Sequence, residues 1–176
     1  MTYRVCFVCT GNICRSPMAS SVFRARVAEA GLDGRVEVES AGTGGWHEGD
    51  GADPRAVAVL RDNGYETEHT ARRFEPSWFS GLDLVIALDT GHLRTLRHLA
   101  PTEAAAAKVR LLRSYSGAMA PGAGGGSAPG ASAPELDVPD PYYGGTDGFE
   151  ECLEMVEAAS TGLLAAVRKD LEGRAA

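Results

Sequence analysis

Cys9 and Arg15 stand with five residues between them in the run Cys9-Thr10-Gly11-Asn12-Ile13-Cys14-Arg15-Ser16. An apolar stretch, Val5-Cys6-Phe7-Val8, precedes the run, and Pro17 with a helical pattern follows it. The order strand, tight loop, helix puts a thiol among backbone N–H groups at a helix amino end, where an anion is held well. A free cysteine ionises near pH ~8.5 and is mostly thiol at neutral pH. Convergent amides, a helix amino end and Arg15 all favour the thiolate, and such surroundings lower a cysteine to roughly 3.5–7.5. The same groups would hold the equatorial oxygens of a transferring phosphoryl group, two of them gripped by the planar guanidinium. Gly11 lets the loop backbone approach a ligand, and Asn12 tolerates a left-handed turn. The chemistry suggested is phosphoryl transfer through cysteine.

Phosphoester cleavage also needs an acid for the leaving oxygen. Two carboxylates lie close together in Asp137-Val138-Pro139-Asp140-Pro141-Tyr142-Tyr143-Gly144. Either could serve. Prolines on both sides stiffen the chain at Asp140, and the paired tyrosines can wall a pocket for an aromatic leaving group.

The elements that position these groups are readable in outline. Val5–Val8 reads as a buried strand. Ser16 reads as the N-cap of the first helix and Pro17 as its first residue, with Ala19, Phe23, Val27 and Ala30 at helical spacing and Gly31 as the stop. Val36–Glu39 alternates like an edge strand. Asp53-Pro54 opens a second helix that ends at Gly64. Leu82–Leu88 is another buried strand, Thr90 a cap for the helix carrying Leu93, Leu96 and Leu99, and Val109–Leu112 a fourth strand. Asp147 and Glu150 have capping-box spacing at the start of a long last helix with Phe149, Leu153, Val156, Leu163, Val167 and Leu171 on one side. Strands alternating with helices predict an α/β fold, a doubly wound four-stranded parallel sheet with helices on both faces. A ligand then sits beyond the carboxyl ends of the strands, where the cysteine loop lies.

The chain has 176 residues, 44% of them hydrophobic, and a net charge of −7. One domain over 1–176 is expected. Residues 116–134, rich in Gly, Ala, Pro and Ser, read as a flexible surface insertion, because such residues bury too little surface to offset the entropy of ordering them. The negative charge argues against a nucleic-acid partner, since phosphate backbones are held by clustered Lys and Arg. An anionic substrate must therefore be held by local positive potential. No apolar run approaches the ~20 residues of a membrane span, and no charged leader precedes the first strand, so a cytoplasmic protein is expected, with export without a signal left open. Of the four cysteines, Cys6 and Cys152 read as core. His92 and His98 read as solvated helix residues, and Asp137 as an exposed loop charge.

Cys-Thr-Gly-Asn-Ile-Cys-Arg-Ser-Pro together with Asp-Pro-Tyr-Tyr-Gly resembles the low-molecular-weight protein tyrosine phosphatases of bacterial type. The likeness covers almost the whole chain apart from the insertion. It implies hydrolysis of phosphotyrosine in proteins, and of small aryl phosphates, through a cysteinyl-phosphate intermediate. It implies a nucleophile at Cys9, a phosphate-gripping Arg15 and, by the Asp-Pro-Tyr match, a general acid at Asp140. Thr10, Gly11, Asn12, Ile13 and Cys14 would form the phosphate loop, and Ser16 would hydrogen-bond the sulfur. Asn12 would be supported by Ser40 and His69, while Trp46, His47, Tyr142 and Tyr143 would line the substrate cleft. No metal and no cofactor is called for, because amides and Arg15 supply the positive field. Cys14 is either simple loop packing or, as the resemblance favours, a disulfide partner of Cys9 under oxidation that shields the nucleophile from irreversible states. Tyr142 or Tyr143 could be targets of a tyrosine kinase. Arsenate reduction on the same fold needs relay cysteines that Asp89-Thr90-Gly91-His92 does not supply. Phosphoarginine hydrolysis is disfavoured by Ile13 and Tyr142, which suit a phenolic substrate.

Overall fold

The computed structural model describes residues 2–116 and 134–175. Apart from its two end residues, the segment read as an insertion at 116–134 lies outside the described residues. Four strands, β1 (Tyr3–Cys9), β2 (Val36–Gly42), β3 (Leu84–Ala87) and β4 (Val109–Leu111), form one parallel sheet in the order β2-β1-β3-β4. The helices are α1 (Arg15–Glu29), α2 (Pro54–Asp62), α3 (Thr90–Leu99), α4 (Glu103–Ala106) and α5 (Thr146–Ala175). The α/β architecture agrees with the pattern of alternating strands and helices.

β1 is central, so it is buried on both faces and carries no polar alternation. Its side chains still divide by parity. Val5, Phe7 and Cys9 join a core with α1, α2 and α5, while Cys6 and Val8 join a second core that includes Leu93 and Leu96 of α3. Phe7 meets Phe23 of α1 edge-on, with ring centres 5.6 Å apart. Burying each such ring contributes roughly 1.5–3 kcal/mol. Cys6 and Cys152 lie in these cores, and burial pushes both thiols up, Cys152 to about 12. On α5, Phe149, Leu153, Val156, Leu163, Val167 and Leu171 are all buried, as their spacing requires.

Two helix starts differ from the sequence reading. α1 begins at Arg15, one residue before Ser16, and Cys14 takes the cap position without a side-chain bond. Ser16 is thus inside the helix, and its hydroxyl serves the loop instead. α3 is capped by Asp89, whose side chain accepts from the His92 N–H, and not by Thr90. By contrast Asp53 caps α2 with Pro54 at its first position, as the Asp-Pro pair suggests. Among the described residues no helix is long and apolar enough to cross a membrane.

The strand order places a reversal beside β1. The chain leaves β1 toward β2 on one side and returns to β3 on the other, and such a switch point opens a crevice at the carboxyl ends. Cys9 pairs in register with Gly42. The loop after β1 therefore meets the loop after β2 on one flank and the residues after β3 on the other.

Candidate active site

The loop from Cys9 to Arg15 turns its carbonyls outward. Cys9 O accepts from Thr43 N at 2.8 Å, Thr10 O from Gly44 N at 3.0 Å, and Ile13 O from Asp53 N at 2.8 Å. The Asn12 carbonyl lies 2.6 Å from His69 Nε2, which donates to it. A planar trans peptide points its N–H opposite its C=O. Carbonyls drawn outward therefore aim the following N–H groups at the loop centre, a concavity suited to an anion. The reversal needs one left-handed residue, and Asn12 has φ 59°. A side chain at Gly42 would put a Cβ 2.7 Å from the Thr10 carbonyl, so β2 can approach the loop only with glycine there.

Asn12 is completely buried and uses its whole side chain. Nδ2 donates to Ser16 Oγ at 2.8 Å and to Ser40 Oγ at 3.0 Å, and Oδ1 accepts from Arg72 N at 2.9 Å. His69 is held below the ordinary imidazole value chiefly by burial, so it is neutral when it donates to Asn12. Ser16 Oγ also lies 2.9 Å from Cys9 Sγ and 3.3 Å from the Ala41 carbonyl. Because Asn12 donates into Ser16, the one hydroxyl proton is left for the sulfur or that carbonyl, and the sulfur is nearer.

Arg15 sits behind the same cavity. Its NH1 donates to Asp89 Oδ2 at 2.8 Å and to the Val138 carbonyl at 2.9 Å. NH2 lies 3.6 Å from Asp140 Oδ2. Burial alone would lower the guanidinium, but Cys9, Asp140 and Asp89 together raise it. Asp140 starts the turn Pro141–Tyr143, and its Oδ1 accepts from Tyr142 N at 3.0 Å. That bond fixes the carboxylate and leaves Oδ2 facing Arg15.

The cavity measures about 340 Å³ and its floor is made by Cys9, Thr10, Gly11, Ile13, Cys14 and Arg15. Asp140, Tyr142, Trp46 and His47 complete its lining. Trp46 is 74% exposed, so its ring is a rim group and not part of a core. Tyr143 lies in the same turn as Tyr142. Among the described residues all four cysteines are free thiols. Cys14 is pushed up by burial and then by Asp53, which keeps it a neutral thiol beside Cys9.

Several site residues escaped the sequence reading. His92, read as solvated, is buried against the loop. The ring is excluded from water because β3 lies next to β1 and brings the first turn of α3 under Thr10 and Arg15. The exposed His98 follows the reading. Asp137 is not a free loop charge: its carboxylate accepts from Thr90 N at 2.8 Å and anchors the Asp140 loop to α3. Arg55 clamps the other side. It bonds Asp53, donates to the Gly144 carbonyl at 3.2 Å, and stacks on Phe149 and Tyr142 with its guanidinium carbon 4.7 Å and 5.4 Å from the ring centres. A carboxylate directly after a buried strand, as at Asp89, was the one available signal.

An inward-facing amide loop with a thiol, an arginine and a carboxylate lining one cavity defines an α/β protein built to hold a phosphoryl group. The sequence pattern of the family described as Low molecular weight phosphotyrosine protein phosphatase matches residues 4–173, and the chain belongs to that family. It is 72% identical over 176 residues, all of both chains, to a low molecular weight protein-tyrosine-phosphatase of Streptomyces coelicolor. It is 45% identical over 159 residues to the low molecular weight protein-tyrosine phosphatase A of Mycobacterium tuberculosis, covering 90% of this chain and 88% of the other. The fold superposes with a TM-score of 0.84 on a crystal structure of a protein tyrosine phosphatase from Entamoeba histolytica with Hepes in the active site. That pair shares 29% identity over 96% of this chain and 99% of the other.

Proposed function

We propose that this chain hydrolyses phosphotyrosine in proteins, and small aryl phosphates, with Cys9 as nucleophile, Arg15 as phosphate clamp and Asp140 as general acid and base. The observation that carries the reading is that Asp140, far along the chain from the Cys9–Arg15 loop, lines one cavity with Cys9 and Arg15. In the first step the Cys9 sulfur attacks phosphorus. The S–P bond forms, the P–O bond to the phenol breaks, and Asp140 gives its proton to the leaving oxygen. In the second step Asp140, now a carboxylate, takes a proton from water as that oxygen attacks phosphorus. The S–P bond breaks and inorganic phosphate is released. The loop N–H groups and Arg15 face the charge that develops on the equatorial oxygens. Ser16 Oγ, 2.9 Å from the sulfur, stabilises the departing thiolate. Trp46, His47 and Tyr142 at the rim give an aromatic leaving group apolar walls, with Tyr143 in the adjoining turn.

The test compares wild type with Cys9→Ser on phosphotyrosine, phosphoserine and phosphoarginine peptides. Wild type should cleave the phosphotyrosine peptide by preference. Cys9→Ser should lose turnover and still bind phosphate or vanadate. Equal activity on all three peptides, or an active Cys9→Ser protein, defeats the reading.

Three further assignments belong to it. Residues 1–176 act as one phosphatase domain with an insertion at about 116–134. The protein works in the cytoplasm, as four cysteines too few for a disulfide scaffold suit a reducing compartment; active enzyme found only outside cells would overturn that. Tyr142, 41% exposed at the cleft, and its neighbour Tyr143 are substrates of a tyrosine kinase. Protein isolated from cells with neither site ever modified would refute this.

A further inference from the structure

Behind the phosphate loop lies a buried polar chain that the mechanism above does not use. The His92 ring is 5% exposed and its Nε2 is 2.8 Å from Thr10 Oγ1 and 3.5 Å from Arg15 NH2. Its Nδ1 is 3.1 Å from Asp89 Oδ1, yet the alignment is too poor for a directed hydrogen bond. Arg15 NH2 also reaches Thr10 Oγ1 at 3.4 Å.

Proton accounting fixes the order of the chain. Burial pushes Asp89 up, but the backbone N–H of His92 and the Arg15 guanidinium, each 2.8 Å from one of its oxygens, hold it as a carboxylate. A carboxylate only accepts, so the ring nitrogen facing it carries the proton. Nε2 is then bare and must accept. Its two neighbours are a hydroxyl and a guanidinium, and both can donate. A second ring proton would set one cation 3.5 Å from another, and burial already drives His92 down to about 4 against the pull of Asp89. Asp140 and Asp137, the remaining charges that act on the ring, also raise it but less than burial lowers it.

We propose that His92, neutral and protonated at Nδ1, is a positioning residue that holds the Thr10 hydroxyl and the rear edge of the Arg15 guanidinium so that Arg15 meets a bound phosphoryl group in a fixed orientation. NH1 is occupied by Asp89 and the Val138 carbonyl. NH2 is the nitrogen that borders the cavity beside Asp140. Without an acceptor behind it, NH2 and Thr10 lose their common anchor, and the rotor freedom returned to Arg15 must be removed again each time phosphate binds. The proposal rests on reading the Cys9–Arg15 loop as the phosphate site.

Nitrogen-15 spectra of the full-length protein at neutral pH should show His92 Nδ1 bearing hydrogen and Nε2 bare. His92→Leu should weaken inhibition by inorganic phosphate about tenfold, the scale of one hydrogen bond to a charged group, and lower kcat for aryl phosphates. His92→Gln, whose amide oxygen can accept, should recover most of both. Thr10→Val should add little on top of His92→Leu, because the two share one chain of bonds. A bare Nδ1 or a doubly protonated ring in the spectra overturns the proposal whatever the variants do. So does a folded His92→Leu protein with unchanged phosphate inhibition. A wild-type protein without phosphatase activity would instead defeat the reading of the site itself.

Discussion

Replacing Asn12 by Ala removes the keystone of the loop, and its cost can be worked bond by bond. The side chain donates to Ser16 and Ser40 and accepts from Arg72 N, at 2.8, 3.0 and 2.9 Å. It is completely buried, so these bonds are made out of contact with bulk water. A hydrogen bond contributes about 0.5–1.5 kcal/mol net, so three contribute about 1.5–4.5 kcal/mol. The residue also sits at φ 59°, where alanine has no side-chain compensation. That conformation adds about 1–2 kcal/mol for alanine. We expect Asn12→Ala to lower the unfolding free energy by about 2.5–6.5 kcal/mol, a large part of the ~5–15 kcal/mol of an ordinary domain. Asn12→Gly loses the same bonds but tolerates the angle, so it should recover about 1 kcal/mol. Urea unfolding followed by two spectroscopic probes measures both, with the slope required to stay constant. Phosphate inhibition should weaken in both variants, because Ser16 loses the donor that commits its proton to Cys9. The reasoning is refuted if Asn12→Ala stays within about 1 kcal/mol of wild type, less than the value of the three bonds, or if Asn12→Gly is the less stable of the two.

Asp140→Ala should slow cleavage of aryl phosphates with poor leaving groups far more than those with good ones, since only the former need the proton; equal losses across a leaving-group series would remove Asp140 from the acid role. Gly42→Ala should weaken phosphate inhibition by forcing the Thr10 carbonyl away from a Cβ only 2.7 Å distant; wild-type inhibition in that variant would show the contact to be unimportant. His92 makes stability depend on pH in a definite direction. Its folded value of about 4 lies below its ordinary 6.5, so the unfolded chain takes up the proton first. The stability it contributes is present above pH 6.5 and is lost as pH falls toward about 4. His92→Gln should flatten that part of the curve, and an unchanged curve in the variant would contradict the sign.

Local chemistry in the sequence was enough for the strand–loop–helix unit, the left-handed Asn12, the Asp53 cap and the apolar side of α5. Each is set by backbone preferences or by a period within a few residues, and such signals survive without a neighbour. The fold class followed from the alternation of those elements. Ser16 was misplaced by the same logic: a serine before proline is a good cap, but here Asn12 and Cys9 claim the hydroxyl and the helix starts one residue earlier. The sequence could not say which strand lies beside β1. That order brings Asp89 and His92 behind Arg15 and turns an apparently solvated imidazole into a buried acceptor. It also brings the Val138 carbonyl and Asp137 into contact with Arg15 and α3. Burial of a polar ring depends on which long-range neighbour covers it, and only the assembled sheet supplies that neighbour.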